Sequence, residues 1–173
     1  MRMDQIKNII RTIPNFPKPG INFKDITTLL NNPNAFKEVI QKFYNKFAEK
    51  NVDVVVGVES RGFIFGAPLA LKLNCPFVIM RKPGKLPSKT ISEEYKLEYG
   101  HDHLEIHTDS IKNGDKVLII DDLLATGGTA NAAKKLVERL GGDLISFCFL
   151  IKLNGLGSEN KIDNSKVFYL FEY

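Results

Sequence analysis

The chain is poor in the residues that would mark several protein classes. Its 173 residues include no tryptophan, two cysteines, three methionines and three histidines. Two cysteines without a Cys-x-x-Cys pair cannot staple a disulfide scaffold. Cys75, in LNCPFVIM, and Cys148, in ISFCFLI, therefore read as buried thiols of a reducing compartment. No apolar run approaches the ~20 residues that span a bilayer. The opening MRMDQIKNIIRTI breaks its apolar positions with charge, unlike a secretory leader. The histidines cluster in GHDHLEIH, but no cysteine lies near and the spacing matches no zinc class. No repeat or low-complexity tract is visible. These absences argue against membrane, secreted and zinc-dependent classes and lead us to expect a cytoplasmic protein.

What is present is ordinary for a globular protein: 43% hydrophobic and 25% charged residues, with a net charge of +4 and a pI of about 9.0. The length suits one domain, residues 1–173, with a substantial core. The modest positive excess raises the question of which anion it serves. Lysines and arginines are dispersed among acidic residues, and no segment has the size of an added helix-turn-helix. Nucleic acid is therefore not expected as a partner, and neither is membrane.

The order of elements points to parallel α/β architecture. Ile6, Ile9, Ile10 and Ile13 share a helical face, and a proline-rich loop follows at Pro14–Gly20. A short extended or irregular stretch runs through INFKDITTLLNN. Asn32 or Asn34 is positioned to cap a helix carrying Phe36, Val39, Ile40, Phe43 and Phe47. VDVVVGVES, PFVIMRK, KVLIIDD, DLISFCFLIKL and KVFYLFEY read as five strands, apolar enough to be covered on both faces. RGFIFGAPLALKL and TANAAKKLVERLGG read as helices between them. The expected fold is thus a mostly parallel central sheet flanked by helices. Residues 81–107 interrupt the pattern with weak periodicity and high charge. A connection this long is usually functional or disordered, and it reads as a flexible basic flap.

The strongest motif is VLIIDDLLATGGT, residues 117–129. It places Asp121 and Asp122 at the carboxyl end of a strand, then a small-residue loop, then a helix start. Ligands of open α/β sheets bind at this end. Backbone N–H groups, close approach at Gly127 and Gly128, and the hydroxyls of Thr126 and Thr129 suit a phosphate monoester. The acidic pair suits ribose hydroxyls, directly or through Mg2+. A Gly-Lys-Ser/Thr sequence is absent, so this is not the loop of a nucleoside-triphosphatase. Arg61, with the backbone N–H groups of Ser60, Arg61 and Gly62, marks a second anion site. A bare cation at a helix start is disfavoured by the dipole, which favours a ligand role over a structural one.

The motif resembles the phosphoribosyl-diphosphate loop of the type I phosphoribosyltransferases, in the DDLLATGGT form of the branch that acts on adenine. PNFPKPGINFKDIT resembles that branch's N-terminal hood, assigned to residues 1–35. VESRGFIFGAPLA resembles its Ser-Arg-Gly-Phe element, and MRKPGKLPSKT with YKLEYG resembles its catalytic loop. The resemblance implies transfer of a 5-phosphoribosyl group from phosphoribosyl diphosphate to adenine, giving AMP and diphosphate in purine salvage. A different base, or a regulator that keeps the phosphoribosyl site, is the alternative.

The resemblance also assigns roles. Arg61, Arg81 and Lys85 are diphosphate ligands, with Arg81 acting across the interface of a homodimer. Mg2+ is expected as the cofactor, held through the substrate diphosphate and not by protein ligands. Glu98 of YKLEYG is the general acid/base; spacing alone does not separate it from Glu93 or Glu94. Tyr99 supports closure. Ala125 stands where enzymes of 6-oxopurines carry an aspartate, which turns the reading away from hypoxanthine and guanine. The base is expected against Leu123, with Phe23 stacked on it and backbone groups near Asn22 and Lys24 reading its edge.

Overall fold

The computed structural model describes residues 1–97 and 100–173. The chain is described as two compact units, Met1–Asn45 and Lys46–Tyr173.

In the first unit, helix α1 (Met3–Ile9) is followed by strands β1 (Arg11–Pro14) and β2 (Asn22–Asp25), helix α2 (Thr27–Leu30) and the start of helix α3 (Pro33–Phe47). The helical face predicted through Ile13 stops at Ile9. Ile10 is extended, and Ile13 lies in β1 opposite Phe23 of an antiparallel pair. Pro14 accounts for this: the residue before a proline is pushed out of helical conformation, and β2 supplies a ladder for the extended chain. Arg11 closes the hairpin with an ion pair to Asp25. That guanidinium, together with the Thr27 N–H, lowers the Asp25 carboxyl to about 2. Asn32 caps α3, its side-chain oxygen accepting the Ala35 N–H at 3.0 Å, with Pro33 in the first helical position.

The second unit is built on five strands, all parallel: β3 (Val54–Val58), β4 (Phe77–Met80), β7 (Lys116–Leu124), β8 (Asp143–Lys152) and β9 (Val167–Glu172), in the order β4-β3-β7-β8-β9. Helices α4 (Gly62–Leu73) and α5 (Gly128–Arg139) complete the crossovers. Alternate residues of the strands divide the core. Val54, Val56, Val58, Ile119, Phe147 and Phe149 join one buried cluster with Ala133, Leu136 and Val137 of α5. The intervening Val55, Leu118, Ile120, Cys148 and Leu150 are equally buried but face the other way, as the two-residue period of a strand requires. Both faces are covered, which is why these strands read as unbroken apolar runs.

The segment expected as a loop without regular structure is largely an antiparallel pair. Strands β5 (Thr90–Leu97) and β6 (Gly100–His107) are in register from Thr90 opposite His107 to Leu97 opposite Gly100. The sequence hid this because one side of the pair is solvated and charged. Its other side contributes Tyr95, Leu104 and Ile106 to the core cluster.

Helix α4 packs close to the sheet because glycine makes room for a single ring. A Cβ on Gly57 would stand 2.7 Å from the Phe77 ring, and one on Gly66 would stand 2.5 Å from it. Gly57→Val should therefore lower the unfolding free energy by about 1–3 kcal/mol through overpacking. Adding Phe77→Leu should restore at least half of the loss. Urea titration reads both, and a Gly57→Val midpoint equal to wild type would refute the packing account.

Candidate active site

The strand order reverses between β3 and β7. From β3 the chain crosses outward to β4, whereas from β7 it proceeds the other way to β8 and β9. The carboxyl ends of β3 and β7 therefore diverge into separate loops, and a crevice opens between them. A cavity of about 500 Å3 lies at this point. One wall is Glu59, Ser60 and Arg61 after β3; the other is the run from Asp121 to Ala130 at the end of β7 and the start of α5.

The β7 wall contains the acidic pair and the loop. Gly127 caps α5 with φ of 76°, a left-handed value that glycine adopts without penalty. Gly128 lies against the Lys96 carbonyl oxygen, 3.0 Å from where a Cβ would be. The loop thus presents bare main chain to the cavity, which is the arrangement an anion needs. The Asp122 N–H donates to Asp121 Oδ1 at 2.8 Å. Burial, followed by the neighbouring Asp122 charge, pushes the Asp121 carboxyl well above its usual range. Burial also raises Asp122, opposed by the Arg61 guanidinium, whose Nε lies 2.9 Å from Asp122 Oδ2. Two desolvated like charges resist being ionised together.

The β3 wall is tied to the flap. Gly62 abuts β7 so closely that a Cβ there would lie 2.6 Å from the Ile120 carbonyl oxygen. This sets Arg61 beside the acidic pair. Glu59, whose side chain is only 9% exposed, accepts the Lys82 N–H at 2.7 Å and pairs with Lys85 and with Arg81 at 3.4 Å. Burial alone would raise the Glu59 carboxyl; Lys85, the Lys82 N–H and Arg81 bring it down to about 2. Lys82 Nζ bonds Asp102 and the Tyr95 hydroxyl. Glu105 exchanges backbone bonds with Arg81 and accepts the Gly84 N–H at 3.1 Å. The basic flap is thus pinned by three carboxylates, where its composition had suggested a free loop.

The expected site residues are brought together in part. Arg61, Asp121, Asp122, Leu123, Ala125, Thr126, Gly127, Gly128 and Thr129 all line the cavity. Arg81 and Lys85 do not line it but pair with Glu59, which does. Asn22, Phe23 and Lys24 form β2 of the first unit, where Phe23 meets Phe16 edge-on at 5.2 Å and Lys24 Nζ donates to the Thr12 hydroxyl at 2.9 Å. Glu98 and Tyr99 lie outside the described residues. Motif reading missed Glu59, Tyr95 and Leu156 as cavity residues. Glu59 had a signal, since it is the first charge after a fully apolar strand; Tyr95 and Leu156 had none, because distant segments bring them in.

For a divalent cation, the cavity offers hard oxygen donors: the carboxylates of Asp121 and Asp122 and the hydroxyls of Thr126 and Thr129; the Glu59 carboxylate is already taken by Lys85, Arg81 and the Lys82 N–H. Among the described residues no group of three or more His, Cys, Asp or Glu could enclose a metal. The donor set therefore fits a cation shared with a ligand's oxygens better than a cage made by protein alone.

A family model described as a phosphoribosyl transferase domain matches residues 25–170, and the chain belongs to that family. Its relatives specify the branch. It is 54% identical over 171 residues, 99% of this chain and 100% of the relative, to adenine phosphoribosyltransferase of Geobacter metallireducens. The crystal structure of the Thermoanaerobacter pseudethanolicus adenine phosphoribosyltransferase superposes with a TM-score of 0.96 at 48% identity, covering 99% and 100% of the two chains. The Saccharomyces cerevisiae enzyme, crystallised with an imino-altritol bisphosphate and adenine, gives 0.92 at 41% identity over 97% of this chain and 97% of that chain. No helix among the described residues is long and apolar enough to cross a membrane.

The raised Asp121 carboxyl carries a stability cost. A carboxyl whose folded pKa exceeds its unfolded value penalises folding above the unfolded value, and the penalty fades as pH falls below it. Asp121→Asn keeps the acceptor for the Asp122 N–H and removes the charge. It should be more stable than wild type by about 1 kcal/mol at pH 7, with the advantage shrinking below pH ~4 as both states of wild type protonate. Unfolding curves at the two pH values measure this, and an Asp121→Asn protein less stable than wild type at pH 7 would contradict it.

Proposed function

We propose that this protein transfers the 5-phosphoribosyl group of phosphoribosyl diphosphate to N9 of adenine, releasing AMP and diphosphate. The observation that carries this reading is the two-walled cavity at the reversal of strand order. One wall has the bare-backbone loop Ala125–Thr129 for a phosphate monoester; the other has Ser60 and Arg61 for a second anion. The acidic pair sits between them, and full-length relatives bear the matching name.

In the reaction, adenine N9 forms a bond to ribose C1 as the C1–oxygen bond to diphosphate breaks. Positive charge grows on the sugar ring and negative charge on the leaving group. Asp121 and Asp122 engage the ribose hydroxyls and place their negative potential beside the ring. The Gly127, Gly128 and Thr129 N–H groups and the Thr126 and Thr129 hydroxyls hold the 5-phosphate, fixing C1 relative to the attacking nitrogen. Arg61 and the adjacent backbone N–H groups hold the diphosphate and stabilise the charge it gains. A divalent cation bound through the diphosphate oxygens would add charge neutralisation on the leaving-group side.

Glu98 is our candidate to take the purine proton from N7 as N9 attacks, with Tyr99 supporting closure; both assignments rest on the resemblance of YKLEYG. Leu123 gives the purine an apolar contact. Phe23 is assigned to stacking, a contact of about 1–3 kcal/mol in comparable cases, with the backbone at Asn22 and Lys24 reading the adenine edge. Ala125 leaves N7 of a 6-oxopurine without the carboxylate it would require. The role carried over for Arg81 implies a homodimer. The two unpaired cysteines suit a reducing cytoplasm.

Incubation with phosphoribosyl diphosphate, Mg2+ and single purines should give nucleotide with adenine and at least about 100-fold less with hypoxanthine. A preference for hypoxanthine or guanine would sink the base assignment. Glu98→Gln should lower turnover by about 100-fold, within the usual range for a positioned acid/base, without moving the melting temperature. A normal turnover number in that variant would remove Glu98 from the chemistry.

A further inference from the structure

Glu59 has no role in the chemistry above, yet it is among the most heavily engaged side chains at the cavity. It is the first residue after β3, is almost fully buried, and borders both the cavity and the flap. Three donors converge on its carboxylate from one short segment: the Lys82 N–H at 2.7 Å, Lys85 Nζ, and Arg81 Nη2 at 3.4 Å. The same flap is otherwise held by β6, through the Arg81–Glu105 backbone exchange, the Gly84 N–H on Glu105 and Lys82 on Asp102. These other anchors fix the main chain of the flap and Lys82. The Lys85 head group is held by Glu59, and that of Arg81 is shared between Glu59 and the Lys85 carbonyl oxygen at 3.5 Å.

We propose that Glu59 is a positioning residue for the diphosphate: it gathers Lys85, the Lys82 backbone and Arg81 so that the flap cations assigned to diphosphate, Lys85 at this site and Arg81 across the dimer interface, are ordered before the anion arrives. The inference rests on the reading of the cavity as a phosphoribosyl-diphosphate site. Free lysine and arginine side chains each lose much of their rotamer freedom when ordered. A protein that has already ordered them spends less of its binding energy on doing so. A carboxylate placed here also repels an arriving anion, which is tolerable because two cations and an N–H already saturate it. Exchanging it for a neutral amide removes the repulsion and the organisation together. We expect the organisation to dominate, since one lost charge is replaced by two unanchored long side chains.

The test is calorimetric titration of magnesium diphosphate, without base, into wild type, Glu59→Gln, Lys85→Ala and the double variant. Glu59→Gln should weaken diphosphate binding by about tenfold. In the Lys85→Ala background the same change should cost threefold or less, because one of its clients is gone; non-additivity of this kind is the signature of direct coupling. The KM for adenine should stay within twofold of wild type, which separates positioning at the diphosphate from general damage. Should Glu59→Gln not fold, Glu59→Asp replaces it: it keeps the charge but shortens the reach, and should weaken binding at least twofold. Unchanged or tighter diphosphate binding overturns the proposal, as does an equal loss in both backgrounds. A wild type that binds diphosphate but does not use adenine refutes the base assignment and leaves this comparison intact. A wild type that binds no diphosphate overturns both.

Discussion

The ion pair between Arg61 and Asp122, 2.9 Å from Nε to Oδ2, connects the two walls on which the site depends. Arg61 belongs to the loop after β3 and Asp122 to the end of β7. Neither would be stable in its place alone. Asp122 is a buried carboxylate beside another, and the guanidinium is the group that opposes its desolvation. Arg61 stands at a helix start, where the dipole disfavours a cation. Each charge makes the other's position tolerable. Gly62 makes the pair geometrically possible by allowing α4 to touch the β7 backbone.

The distribution of charge gives the small net excess of +4 its meaning. Negative groups, Asp121 and Asp122, line one wall of the cavity. Positive groups, Arg61 and Lys82, line it as well, with Arg81 and Lys85 paired to Glu59 at its edge. The flap cations are not left to water; Glu59 and Asp102 hold them. A site built this way favours a small polyanion with a sugar core, and needs no surplus of charge elsewhere on the surface. Lys134 illustrates the rest of the surface: it pairs with Glu138 one helical turn away, a contact worth a few tenths of a kcal/mol.

The acidic pair also shows how function and stability are opposed at this site. Burial raises Asp121, so its ionised form is held at a cost that the remainder of the core must offset. Phe77, wedged into the space left by Gly57 and Gly66, is part of that offset. It binds β4 and α4 to β3, the strand from which one wall of the cavity emerges.

Much was determined by the sequence itself. The five strands and the two crossover helices are written in local apolar runs with clear stops, because a strand covered on both faces must be apolar throughout. The loop proposed to hold phosphate is legible for a related reason: a short segment, from Asp121 to Thr129, carries all of its candidate groups. Tertiary structure decided what depends on distant partners. The β5–β6 pair was invisible because its solvated side dilutes its period, and only the packing of Tyr95, Leu104 and Ile106 against the core reveals it. Ile13 left its expected helix because Pro14 and β2 favoured a strand. Glu59 became the hub of the flap only when strand β3 and residues 81–85, more than twenty positions away, met at one edge of the sheet. Charges find partners by proximity in space, and proximity in space is what a linear pattern of residues does not record.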